Sequence, residues 1–100
     1  MTVTDVRDIR LCILGFGHVT QRFCELVRDR EGTLARELGI RFLITAVGTG
    51  SHGSWLDVEG RTPADVIARF RTDDDRFDSP EQPGIDLIAA SGADVLVEST

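Results

Sequence analysis

Lysine is missing from this chain of 100 residues, in which all 11 basic side chains are Arg. A Walker-type phosphate loop sets a Lys against the β- and γ-phosphates, and Schiff-base chemistry needs an amine, so neither is available within these residues. Cysteine is scarce. Cys12 falls in an apolar run and Cys24 in a helical pattern, with no second pair and no His cluster beside them. That spacing gives no metal set and points to two buried thiols. Long apolar runs are also lacking: nothing approaches the roughly 18 residues that a membrane span requires. The opening MTVTDVRDIR has no apolar centre of the signal-peptide kind and carries Asp5 and Asp8, which do not suit a transit peptide. The expectation is a cytoplasmic chain that does not enter a membrane. Excess positive charge is absent as well. The net charge is −6, with acid crowded into Thr72 to Asp78, which argues against a nucleic-acid surface. A phosphate, if bound, must be held locally.

The length allows one small domain over residues 1–100 with a modest core. A hydrophobic fraction of 41% fits a globular protein. Ile9 to Leu14, "IRLCIL", is apolar and stops at Gly15, as a short buried strand would. From His18 the period changes. Val19, Phe23, Leu26, Val27, Leu34 and Leu38 predict the buried face of a helix of about twenty residues, roughly 30 Å long. Gly32 marks a weak point or a break in it, and Gly39 its left-handed end. Ile40 to Val47 is a second strand, too continuously apolar to have a wet face, as in parallel sheets. Gly48 to Gly60, with Gly50 and Gly53 between them, reads as loop, and Trp55 as its cover. Thr62 and Pro63 then cap and start a short helix with Val66, Ile67 and Phe70 inward. Arg71 to Pro83 reads as a surface excursion. After Gly84 comes one or two helical turns with Ile85 and Ile88 on a face, stopped by Gly92, and Ala93 to Glu98 forms the third strand. Strands alternating with helices imply a Rossmann-like α/β layer: a parallel sheet of three main strands, flanked by helices and joined by right-handed crossovers.

The chemistry concentrates in "LCILGFGHVT", Leu11 to Thr20. In a phosphate-binding turn of this form the first Gly permits the tight exit from the strand and the second lets backbone approach a pyrophosphate; the third allows helix and strand to pack closely. Gly15 and Gly17 fill the first two roles, and Thr20 stands at the third, where its hydroxyl can donate. The free N–H groups from Gly17 through His18 and Val19 to Thr20 then face the anion. Phe16 reads either as packing or as a neighbour of the adenine. At the tip of the second strand, Thr49, Gly50, Ser51 and His52 offer no carboxylate for a ribose, which favours NADP over NAD. His52 reads as a partner for a 2′-phosphate or as a solvated loop residue, and His18 as a phosphate donor or an exposed helix start. Ser99 and Thr100 end the third strand, where ligands of open sheets sit.

"ILGFGHVTQRF", "ITAVGTGSHGS" and "SGADVLVEST" together, in this order and spacing, resemble the N-terminal segment of homoserine dehydrogenases over Ile9 to Thr100. The resemblance implies NAD(P)-linked interconversion of homoserine and aspartate 4-semialdehyde, within amino-acid biosynthesis from aspartate. It also implies the strand order 2-1-3, with a crevice between Gly15 to Thr20 and Ser99, and a homo-oligomer in the full-length protein. It differs at Thr20, where the family usually has a small residue, and at Ser51, where related loops often carry a base. The family's catalytic Lys and Asp belong to a later substrate domain, so this domain is expected to be incomplete at its C-terminus, with no catalytic and no metal residues within it. Two other readings stay open. One is a stand-alone nucleotide-sensing or interaction module without catalysis, and the other a methyltransferase-like domain.

Overall fold

A computed structural model describes residues 5–70, 77, 79–80 and 82–99. Thr100 and most of the acidic stretch Thr72 to Asp78 lie outside the described residues. The class is α/β, built on one sheet of four strands in the order β3-β2-β1-β4. Strand β1 (Arg7–Leu14) is central, paired in parallel with β2 (Ile40–Gly48) on one side and with β4 (Val95–Glu98) on the other. The three strands read from the sequence thus lie in the order 2-1-3. The sheet is not purely parallel. The fourth strand, β3 (Ser54–Arg61), runs antiparallel to β2, in the stretch expected to be loop.

That correction has a local cause. Gly50 and Gly53 both take positive φ (85° and 84°), so the chain reverses between Thr49 and Gly53 and leaves Ser54 onward free to pair. Thr49 Oγ1 closes the reversal by donating to Gly53 O at 2.7 Å and accepting from His52 N at 2.6 Å. Trp55 is therefore a strand residue opposite Val47. Pairing jumps from Leu56 to Arg61 opposite Ala46 and Ile44, so the residues between protrude from the ladder.

Side chains alternate across β1 as strand geometry requires. Leu11 and Ile13 join Phe16, Cys24, Val66, Ile67 and Phe70 on the face covered by helices α1 (His18–Asp29) and α3 (Pro63–Phe70). Cys12 points the other way, to Ala46 and to Leu87 of α4 (Gly84–Ser91). From the stretch read as a surface excursion, Phe77 is 4% exposed and enters the first of these clusters.

The long helix breaks at Arg30, just before the anticipated weak point, into α1, a single turn α2 (Glu31–Thr33) and a π-helical turn (Leu34–Leu38). Gly39 ends it at φ 66°, left-handed as expected, and Gly92 stops α4 where expected, at φ 63°. Asp65 N donates to Thr62 Oγ1 at 3.2 Å, the expected cap on α3. The buried face differs from the expected one in part: Val27 is inside and Phe23 packs against the core as expected, but Thr20 and Cys24 are inside as well, whereas Val19 is 76% exposed and Leu38, in the π-helical turn, 65%. The face of α4 differs too. Leu87 and Ser91 are buried and Ile85 is 74% exposed. Among the described residues no helix is long and apolar enough to cross a membrane, and no cluster of His, Cys, Asp and Glu could hold a metal ion.

Candidate functional site

The register of β1 sets Leu14 beside Gly48 of β2 and beside Glu98 of β4, so all three parallel strands finish at one level. The next residues, Gly15, Thr49 and Ser99, stand side by side and line a cleft of about 450 Å³ together with Phe16, Gly17 and His18. Gln21, Ser51, His52 and Phe70 complete its wall. The chain goes from β1 out to β2 on one side and later returns to β4 on the other. The cleft therefore lies where strand order reverses, outside the carboxyl ends, the position at which open α/β sheets receive ligands.

The turn out of β1 depends on its glycines in different ways. Gly15 has φ 94°, and a Cβ there would stand 3.0 Å from the carbonyl carbon of Ser99. Only Gly fits both the conformation and the approach. Gly17 has φ −86° and nothing within 4 Å of where its Cβ would be. Its missing side chain leaves open space at the start of α1. No side chain caps that helix and no acidic residue occupies its first turn. The leading N–H groups, which have no partner inside a helix, thus gather at the cleft with the positive end of the helix dipole.

Several polar side chains anticipated as ligand contacts are engaged elsewhere. Thr20 is 1% exposed and lies beneath the turn, where its hydroxyl bonds Ser99 Oγ. Ser99 Oγ in turn donates to Gly15 O at 3.3 Å, which leaves Thr20 as the donor to Ser99. The Thr49 hydroxyl is used in its own loop. Phe16 is 5% exposed; its ring packs edge-on to Phe70 and Phe77 at 4.7 and 5.4 Å, which holds it in the core beside the cleft. Val19 turns out of the cleft onto the outer face of α1, and Gly50 is exposed at the loop tip without lining it. Gln21 was not singled out from the sequence. Its Nε2 donates to Phe16 O at 3.1 Å and braces the turn, a role that its place one helical turn beyond Gly17 could have suggested.

What remains facing the cleft is backbone N–H, imidazole and the Ser51 hydroxyl. His52 Nδ1 lies 2.8 Å from Ser51 Oγ, and the described lining includes no carboxylate and no guanidinium. Charge is gathered at the opposite end of the sheet, where a hollow of about 530 Å³ is lined by Asp8, Arg41, Arg61 and Asp65 among others. There the charges satisfy one another: Arg41 pairs with Asp8 at 3.0 Å, and Arg61 with Asp57 at 2.8 Å. The Arg41 hydrogen bond holds the Asp8 carboxyl below its usual range. The thiols are closed off. Burial pushes Cys24 up to about 12 and raises Cys12, so neither supplies a nucleophile near neutral pH. No family model, no curated protein and no solved structure matches this chain.

Proposed function

We propose that this chain is the NAD(P)-binding part of an oxidoreductase of the homoserine dehydrogenase type, with its sheet in a Rossmann-like role. The observation that carries the reading is the uncapped start of α1. It opens, through a glycine with no Cβ and free space before it, onto a cleft at the point where strand order reverses. These features fit a dinucleotide: the amides from Gly17 onward hold its pyrophosphate, and Gly15 brings the turn close enough to β4 to shape the crevice. The loop after β2 has no carboxylate to bond a 2′-hydroxyl, and Ser51 with His52 suits a 2′-phosphate, so NADP is favoured over NAD. The bound dinucleotide would supply the redox chemistry. This chain's part is to bind and orient it; the described lining holds no Lys and no carboxylate, the groups to which the resemblance assigns the proton at the substrate carbonyl. The homoserine substrate, a cytoplasmic setting and an oligomeric full-length enzyme come from the sequence resemblance and belong to the same proposal.

Titration of the protein with NADPH, NADH and S-adenosylmethionine, followed by ligand fluorescence or calorimetry, tests it. NADPH should bind most tightly, NADH more weakly and S-adenosylmethionine not at all. Binding of S-adenosylmethionine alone, or of none of the three, overturns the reading.

A further inference from the structure

Helix α1 is apolar on two faces. Its inner face carries Thr20, Cys24 and Val27, with Phe23 partly buried against the same core, while Val19 and Leu26 are turned outward. Val19 is 76% exposed and Leu26 41%. A helix with apolar residues on both sides fits between two layers, and the sheet together with α3 accounts for only the inner one. The outer surface is also shaped. Phe23 and Leu26 form a ridge shared by two apolar grooves, one of about 480 Å³ running past Val19 and Arg22, the other of about 340 Å³ reaching Arg30, Leu34 and Phe42. Ridge and grooves of this kind receive the side chains of another helix.

Charge narrows the occupant. Arg22 and Arg30 border the two grooves, and neither side chain has a hydrogen-bond or ion-pair partner among the described residues, in contrast to Arg28, Arg41, Arg61 and Arg69. Separated by little more than two turns, they stand about 12 Å apart along the helix axis at 1.5 Å per residue. A second copy of the chain is a poor match, because it brings a net charge of −6 against −6 and presents Arg at the same places. We infer that the outer face of α1 docks an amphipathic helix of another protein, whose apolar stripe fills the grooves and whose carboxylates, seven or eight positions apart, pair with Arg22 and Arg30.

The test uses a labelled synthetic helix-forming peptide with a Leu stripe and two flanking Glu eight positions apart, and its twin with Lys in their place. The Glu peptide should bind at least about tenfold more tightly than the Lys twin in low salt, by fluorescence anisotropy. The double variant Arg22→Glu/Arg30→Glu should reverse that preference. Leu26→Asp should lose both peptides while the melting temperature holds, since Leu26 is partly solvated already. Equal binding of the twins, no binding of either, or self-association that Leu26→Asp removes would each overturn the inference.

Discussion

The glycines of the turn out of β1 separate backbone need from ligand need. At Gly15 both the positive φ and the nearness of Ser99 oppose a side chain, so Gly15→Ala should destabilise by roughly 1–3 kcal/mol. Gly17 has an ordinary φ and open surroundings. Gly17→Ala should therefore shift stability by less than about 1 kcal/mol yet weaken NADPH binding by blocking the approach of phosphate. Urea unfolding of both variants beside an NADPH titration checks the pair, and equal effects on stability would contradict this division of roles. Thr20 makes a second residue-scale case. Thr20→Val keeps the shape and removes the hydroxyl that bonds Ser99, so it should cost about 1 kcal/mol in the same urea measurement. The sequence marks Thr20 as the odd member of the glycine motif. It does not show that the hydroxyl is taken up by β4, because that partner lies 79 positions away in the chain.

Elements were legible where one local rule governs them. Gly39 and Gly92 end helices, Thr62 caps one, and β1 and β2 are apolar runs with clear stops. Removing the cap tests the rule: Thr62→Ala should lower stability by about 0.5–2 kcal/mol, read as a fall in the urea midpoint with unchanged slope. Elements were misread where side-chain size and burial disagree. Periodicity assigns all the large apolar residues of α1 to the core, but Thr20 and Cys24 take inward places beside Val27, Phe23 is only partly buried against the core, and Val19 and Leu26 are left outside. Small buried residues leave little trace in an apolar pattern. Strand β3 was hidden for a related reason: its partly exposed, polar sequence pairs only because Gly50 and Gly53 turn the chain back onto β2. Phe77, alone among polar neighbours, offered no period to read.

At the scale of the whole molecule, composition makes one titration unusually clean. With no Lys and no Tyr, the two Cys are the side chains left to ionise between pH 9 and 12. An unfolded thiol loses its proton near pH 8.5 to 9, whereas burial holds Cys24 protonated up to about 12. The folded state then binds more protons across this window. Stability is thus fully present below it and falls as pH rises through it, by at most about 1.4 kcal/mol per pH unit for each buried thiol. Urea midpoints measured from pH 8 to 11 should decline, and Cys24→Ala should flatten the decline. A slope unchanged in that variant would mean that Cys24 ionises in the folded protein much as it does in the unfolded chain.

The hydroxyl bridge from Thr20 to Ser99 spans the gap between the first turn of α1 and the far end of β4. It fixes the width of the opening from its floor, from buried Thr20 to Ser99 in the cleft wall. A dinucleotide bound as proposed would meet a gauge already set, and its association energy would not be drained into drawing two loose edges together.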